Sequence, residues 1–127
     1  MGYSVLLVDD SETIRAVLAK TLKMAGLEIN QIFQAENGRQ ALEIMDENWI
    51  DIVFADINMP VMGGMEMVDK MGENGQIETT PVVIVSTEGS RKRVDELIAK
   101  GVRAFVRKPA TPEQFRDVIL DVLGNEE

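Results

Sequence analysis

The sequence predicts an α/β fold in which one parallel five-stranded sheet carries helices on both faces. Five short apolar runs alternate with five segments of helical periodicity, the pattern of repeated strand–helix units. The clearest runs are continuously apolar, which is typical of parallel strands buried on both faces. A length of 127 residues with 45% hydrophobic residues suits one domain with its own core. We therefore expect a single domain over residues 1–127, with its core at about residues 3–123.

The first two repeats are each a strand followed by a helix with a recognisable start. A continuous apolar run predicts the first strand at residues 5–8, and a weaker run predicts the second at residues 31–35. The helix after the first strand begins at Ser11 and stops at Gly26. The next helix opens at Asn37, three residues before a glutamine, which suits a capped start. The positions expected on the inner faces of these helices are Ile14, Val17, Leu18, Leu22, Ala25, Leu42 and Met45.

Three further repeats complete the sheet. Their strands are predicted at residues 52–55, 82–85 and 104–106. A loop with two adjacent glycines leads into a Met-rich third helix, whose methionines are expected to fill gaps in the core. The last helix starts at Thr111 with a capping-box pattern and a proline in its first turn. The inner-face positions of the fourth and fifth helices are Val94, Leu97, Ile98, Phe115, Val118, Ile119, Val122 and Leu123.

The composition excludes several classes of chemistry. The chain has no cysteine and no histidine, so it offers no disulfide, no thiolate or imidazole metal ligand and no imidazole base. Any bound metal must be held by oxygen atoms, which favours a hard cation such as Mg²⁺. Because it lacks histidine, the chain also cannot be the phosphohistidine donor of a phosphate relay.

The charge balance argues against nucleic acid as a partner. A formal net charge of −9 repels a phosphate backbone, although the same charge also keeps an ordinary protein dispersed. No apolar run approaches the length of a membrane span, and Asp9 and Asp10 interrupt the early apolar stretch that a signal peptide would need. We expect a cytoplasmic protein that binds neither nucleic acid nor membrane.

Polar residues follow the predicted strands at their carboxyl ends. Asp9 and Asp10 come after the first strand, Asp56 after the third, Ser86 after the fourth and Lys108 after the fifth. Ligands of open parallel sheets bind at this edge. If the first and third strands are neighbours, three carboxylates converge there, and a divalent metal and the lysine would offset their repulsion. Such an assembly suits phosphoryl transfer to a carboxylate.

These segments also resemble a known family over essentially the whole chain. The matching pieces are VDDS at residues 8–11, DINMP at 56–60, Gly64, VSTE at 85–88 and Lys108-Pro109. Together they are similar to the receiver domain of response regulators, specifically single-domain, CheY-like receivers of the chemotaxis type. The resemblance implies a flavodoxin-like (βα)5 doubly wound sheet of strand order 2-1-3-4-5. It also implies a signalling switch that catalyses only its own phosphorylation and dephosphorylation.

The resemblance assigns a role to each residue at the site. Asp56 would be the phosphoacceptor, and Mg²⁺ would be bound by Asp10, Asp56 and the main-chain carbonyl of Asn58, with Asp9 acting through a water. Lys108, placed by a cis bond to Pro109, would contact the phosphoryl group. The residues implied to act in switching and in the lifetime of the phosphorylated state are Ser86, Phe105, Asn58 and Glu88. A lifetime of seconds to minutes is expected. Thr87, Ala110 and Gly63 depart from the usual family pattern.

The resemblance also implies the partners. A histidine kinase would donate the phosphoryl group to a monomer, and a protein target would bind the face formed by the fourth helix, fifth strand and fifth helix. The basic run Arg91-Lys92-Arg93 is either a dock for an acidic partner or a solvated charge cluster.

Other functions stay open. The chain could be a phosphate relay or sink, or a receiver fragment of a longer regulator. A Mg²⁺-dependent aspartyl phosphohydrolase is disfavoured because Asn58 cannot act as the second acid. A flavin-binding module is disfavoured because two aspartates follow the first strand, where a phosphate would be bound.

Overall fold

In the part of the chain that the structure describes, five parallel strands form one sheet in the order β2-β1-β3-β4-β5, as expected. The computed structural model describes residues 2–87 and 89–124. The strands are β1 (Tyr3–Val8), β2 (Ile29–Ala35), β3 (Ile52–Ala55), β4 (Val82–Ser86) and β5 (Ala104–Arg107). β2 begins two residues earlier than predicted, because this edge strand is partly exposed and lacks a continuous apolar run.

Within the described residues, six helices connect and follow these strands. They are α1 (Glu12–Lys23), α2 (Gly38–Glu47), α3 (Gly64–Glu73), α4 (Gln76–Thr79), α5 (Arg91–Ala99) and α6 (Pro112–Leu123). The predicted fourth and fifth helices are therefore α5 and α6. The additional α4 is a single turn that begins after Gly75, which has a left-handed φ of 83°. The capping box predicted at Thr111 is present and is completed by Gln114.

The sheet separates two hydrophobic clusters. One contains Leu6, Val53 and Ile84 and is covered by α2, α3, α4 and α5. The other contains Leu7, Phe54 and Val85 and is covered by α1 and α6. Within it, the rings of Phe54 and Phe115 meet edge to face at 4.8 Å. Successive strand residues point to opposite faces, so both faces of β1 and β3 are buried.

Two of the predicted inner-face positions are wrong. Val17 in α1 and Ile98 in α5 are exposed, whereas their neighbours Leu18 and Leu97 are buried. Successive residues lie about 100° apart around a helix of 3.6 residues per turn, so a narrow contact with the sheet buries only one of each pair. The methionines of the third helix and its loop are where the sequence predicts them. Met67 and Met71 are buried, and Met59, Met62 and Met65 pack against the same cluster.

The amino ends of the strands are joined by contacts of Asp51. Its Oδ2 accepts a hydrogen bond from the Ser4 N–H at 2.8 Å. Its Oδ1 accepts one from Nε1 of Trp49 at 2.8 Å, and the indole is otherwise largely exposed. No helix in residues 2–87 and 89–124 is long and apolar enough to cross a membrane.

Candidate functional site

Three aspartates meet at the carboxyl ends of β1 and β3. The two strands are neighbours with Val8 opposite Ala55, and the Asp56 N–H donates to the Val8 carbonyl at 3.0 Å. One carboxylate oxygen from each of Asp9, Asp10 and Asp56 lies within 4.8 Å of the others. The predicted convergence of the three carboxylates is therefore confirmed.

Lys108 supplies the positive charge at the centre of this cluster. The Lys108 N–H donates to the Ser86 carbonyl at 3.0 Å, which places the residue where β5 leaves the sheet. The bond from Lys108 to Pro109 is cis, as predicted. Lys108 Nζ lies 2.6 Å from Asp9 Oδ2 and 3.0 Å from Asp56 Oδ2. Burial lowers the pKa of the ammonium, but the hydrogen bonds and charges of both carboxylates outweigh burial, and the pKa is raised.

The three aspartates differ in exposure and in their hydrogen bonds. Asp9 is 2% exposed, and both of its oxygens have donors, because Oδ1 accepts from the Ser11 N–H at 2.9 Å and Oδ2 from Lys108. Asp56 is partly buried, and its Oδ1 accepts from the Ile57 N–H at 2.7 Å. Asp10 is exposed. The charge of the cluster is thus partly neutralised from the inside by Lys108, and the cluster is open to solvent on the Asp10 side.

The donor set of this cluster fits a hard divalent cation. It consists of carboxylate oxygens, and the chain has neither histidine nor cysteine to offer a softer ligand. One lysine cannot compensate three carboxylates, so a cation on the exposed side would relieve the remaining repulsion. The acidic cluster could therefore bind a metal through Asp10 and Asp56.

The other predicted site residues surround this centre. Ser86 is buried at the end of β4. Phe105 in β5 is half-buried and packs at the edge of the cluster that contains Leu97. Asn58 is exposed in the loop after β3, and Thr87 is exposed directly after Ser86. Glu88 lies outside the described residues. Ser86 thus ends the strand that neighbours β3, and Asn58 lies in the loop two residues after Asp56.

One residue at the site is missed by the sequence analysis. Arg15 in α1 donates from its guanidinium to the Asp9 carbonyl at 2.5 Å and to Gln34 Oε1 at 3.0 Å. Through these two hydrogen bonds, Arg15 in the first turn of α1 links the carboxyl ends of β1 and β2. An arginine on an exposed helix face carries no sequence signal for such a role, because the contact depends on a backbone carbonyl at the end of β1. Ser11, by contrast, caps α1 as its residue type suggests, accepting from the Ile14 N–H.

The loop from β3 to α3 approaches the site closely. The Gly64 N–H donates to the Ile57 carbonyl at 2.8 Å, and a Cβ at Gly64 would overlap the main-chain oxygen of Asp56. Val61 has a φ of 68°, and the Met62 N–H donates across it to the Pro60 carbonyl at 2.7 Å. The path of this loop is therefore determined by tight backbone contacts.

Known proteins share both the sequence and the fold of this chain. A chemotaxis protein CheY homolog of Campylobacter jejuni is 34% identical over 120 residues, which cover 94% of this chain and 91% of that protein. Chemotaxis protein CheY1 of Helicobacter pylori is 33% identical over 120 residues, covering 94% of this chain and 95% of that protein. The structure of chemotaxis protein CheY4 of Vibrio cholerae superposes with a TM-score of 0.84 at 35% identity, covering 97% of this chain and all of the other.

The match to a protein family agrees with these relatives. Residues 5–120 match the response regulator receiver domain, and this range extends from the third residue of β1 to the ninth residue of α6. The observed strand order and the strand-end position of the acidic cluster are those that the family resemblance implied. The chain belongs to the response regulator receiver domain family and is similar to chemotaxis CheY proteins.

Proposed function

We propose that this chain is a phosphorylation-activated switch that accepts a phosphoryl group on Asp56 from a histidine kinase. The observation that carries the proposal is the position of Lys108, whose Nζ bridges Asp9 and Asp56 inside a cluster of three carboxylates. A lysine held there can neutralise phosphoryl oxygens as they arrive. The domain is proposed to catalyse its own phosphorylation and dephosphorylation and no other reaction.

The proposed metal is Mg²⁺, bound by Asp10, Asp56 and the main-chain carbonyl of Asn58, with Asp9 acting through a water. The exposure of Asp10 supports its role as a direct ligand. Both Asp9 oxygens already accept hydrogen bonds from Ser11 and Lys108, which supports an indirect role for Asp9. When bound, the ion would supply positive charge to the equatorial phosphoryl oxygens.

The chain's own groups account for the remaining steps. A carboxylate oxygen of Asp56 attacks phosphorus in line with the departing nitrogen of the donor. Lys108 gives up part of its contact with Asp56 and binds a phosphoryl oxygen, while Asp9 continues to hold its ammonium group. The Ser86 hydroxyl donates to another phosphoryl oxygen. As Ser86 moves, Phe105 rotates from its half-buried position and changes the outer surface of β5.

The output of this switch is proposed to be protein–protein contact. The surface of α5, β5 and α6 includes Phe105 and the basic residues at the start of α5. Because β5 pairs with β4, with Ser86 opposite Arg107, a movement of Ser86 can be passed to this surface through the paired strands. We propose that the protein acts as a cytoplasmic monomer, with residues 1–127 as one domain, and that it binds neither nucleic acid nor membrane.

Mass spectrometry of the intact protein tests the acceptor residue. With Mg²⁺ and a small phosphodonor, the wild type should gain the mass of one phosphoryl group and Asp56→Asn should gain none. Asp46→Asn, the same exchange on the exposed face of α2, is the matched control and should be labelled like the wild type. Equal labelling of wild type and Asp56→Asn would refute the proposal.

The lifetime of the phosphorylated state is a second test. Asn58 and Glu88 are proposed to admit water to the phosphoryl group, so phosphorylation should decay within seconds to minutes after the donor is removed. A half-life of many hours at neutral pH would contradict this and would favour storage of the phosphoryl group over rapid signalling.

A further inference from the structure

The basic run at the start of α5 consists of side chains in two different environments. The Arg91 side chain is 93% exposed and that of Arg93 only 34%. Both side chains lie near acidic residues of the same helix: Arg91 Nε is 3.8 Å from Asp95 Oδ2, and Arg93 Nε is 3.8 Å from Glu96 Oε1. Arg91 therefore faces solvent, whereas Arg93 is turned toward the body of the protein.

Arg93 lines an open cavity of about 560 Å³ beside the acidic cluster. Asp10 and Asn58 line the same cavity, together with Met59 and Glu66. Arg93 is the one lysine or arginine among its lining residues in the described part of the chain. The cavity thus joins the exposed side of the candidate metal site to a single cationic side chain on α5.

The direction of phosphoryl transfer explains what such a cavity can bind. The nucleophile and the leaving group lie on opposite sides of phosphorus. Because Asp56 is partly buried and the cluster is exposed at Asp10, the leaving group must lie outside, on the side of Asp10. A donor with an anionic leaving group meets Asp10, Glu66 and a protein of net charge −9 there. A guanidinium in the wall of the cavity offsets that repulsion and can bind a carboxylate with two hydrogen bonds.

We propose that Arg93 is a donor-binding residue that recognises the carboxylate leaving group of small acyl phosphates. This inference rests on the proposed function of Asp56. In the reaction, an Asp56 carboxylate oxygen forms a bond to phosphorus while the bond from phosphorus to the acyl oxygen breaks. The electron pair leaves with that oxygen, so one carboxylate is consumed and one is released, and no proton is needed. Arg93 binds the negative charge that develops on the departing oxygen.

A donor with a neutral leaving group provides the contrast. Phosphoramidate releases ammonia, which leaves with its own protons and carries no charge for Arg93 to bind. A histidine donor likewise releases a neutral imidazole once protonated. The contribution of Arg93 to the phosphorylation rate should therefore depend on the donor. A role of Arg93 in folding or in metal binding would affect the rate equally with every donor.

The experiment compares Arg93→Gln with Arg91→Gln, which removes the same charge from an exposed position of the same helical turn. Phosphorylation rates are measured against concentration of acetyl phosphate and of phosphoramidate, with Mg²⁺ present. For acetyl phosphate, the ratio of rate constant to half-saturating concentration should fall about fivefold in Arg93→Gln, as loss of a partly exposed charged hydrogen bond predicts. It should stay near wild type in Arg91→Gln. For phosphoramidate, the two variants should be alike, and Arg93→Lys should recover part of the acetyl phosphate rate.

Several outcomes would overturn the inference. Equal losses in Arg93→Gln and Arg91→Gln would mean that only overall charge matters. Equal losses with both donors in Arg93→Gln would place its effect on the phosphoryl group or the metal instead of the leaving group. Wild type that gains no phosphoryl group from either donor would refute the proposed function itself, a result distinct from both. Circular dichroism melting of each variant shows whether the fold is retained, and Arg93→Lys keeps the test valid if Arg93→Gln does not fold.

Discussion

Val61 has a backbone conformation that a β-branched side chain rarely adopts. Its φ of 68° lies in the left-handed region, and the hydrogen bond from Met62 to Pro60 closes a three-residue turn around it. The side chain is exposed, so packing does not compensate the cost. Conformations of this kind cost on the order of 1–3 kcal/mol and persist where the surrounding structure imposes them. Here the constraint comes from the loop that links Asp56 to α3.

Exchange of Val61 for a residue that tolerates positive φ should stabilise the protein. We expect Val61→Asn to raise the free energy of unfolding by about 1 kcal/mol, because asparagine accepts this conformation without adding the chain entropy of glycine. Urea unfolding followed by circular dichroism measures the change. Val17→Asn makes the same exchange on the exposed face of α1 and should give no gain. A Val61→Asn variant less stable than wild type would show that the valine is not strained.

The helix α3 is held against the phosphorylation loop by its first residue. Gly64 begins the helix directly above the Asp56–Ile57 backbone, where there is no space for a Cβ. Near the other end of the same helix, a Cβ at Gly72 would meet nothing within 4 Å. The element thus contains one glycine required by close approach and one that only weakens the helix.

This difference predicts opposite effects of one substitution. Gly64→Ala should destabilise the protein by about 1–3 kcal/mol and slow phosphorylation, because the main chain of Asp56 must move. Gly72→Ala should stabilise by up to about 1 kcal/mol through helix propensity and leave phosphorylation unchanged. Denaturant unfolding and the phosphorylation rate measure both effects. A Gly64→Ala protein with wild-type stability and rate would disprove the close approach.

The strands and helices were predictable from the sequence where the local sequence signal was strong. The buried strands β1, β3 and β4 follow from their continuous apolar runs, and the start of α6 from its capping box. The one-turn α4 was missed because four residues are too few to show a helical period. Val17 and Ile98 were placed wrongly because apolar residue type does not reveal how much of a helix the sheet covers.

The candidate site was predictable to a similar extent. The convergence of the three aspartates follows from their positions at strand ends once the strand order is known. The different exposure of Arg91 and Arg93 could not be predicted from the sequence. The two residues have the same type and charge, and only the folded helix determines which of them faces solvent. The contact of Arg15 could not be predicted either, because its guanidinium donates to a main-chain carbonyl and residue types carry no signal for such a contact.

At the scale of the whole molecule, the acidic cluster couples ligand binding to stability. The sheet is buried between two clusters of apolar residues, so its strand ends are held in place before any ligand binds. The three carboxylates are then already close together and only partly neutralised by Lys108. A cation that binds the folded arrangement and not the unfolded chain must raise the free energy of unfolding.

Mg²⁺ should therefore stabilise the protein through Asp10. At a concentration 100 times its Kd, a ligand of the folded state adds about 2.7 kcal/mol to the free energy of unfolding. We expect the unfolding temperature of the wild type to rise with Mg²⁺ and that of Asp10→Asn to rise much less. Glu12→Gln removes one charge from the neighbouring first turn of α1 and should keep the response. An equal rise in all three proteins would show a general effect of salt instead of a bound ion.

The single tryptophan of the chain determines which events intrinsic fluorescence can report. Its indole donates to Asp51, at the end of β3 opposite the carboxylate cluster. Asp51 and Asp56 flank the four residues of β3 and are five residue steps apart, a span of about 16 Å at about 3.3 Å per residue. The indole therefore lies outside direct contact with any ion or phosphoryl group at the carboxylate cluster. Its emission should respond to unfolding and stay silent during phosphorylation. Tryptophan fluorescence therefore measures the unfolding of this protein and does not measure its phosphorylation.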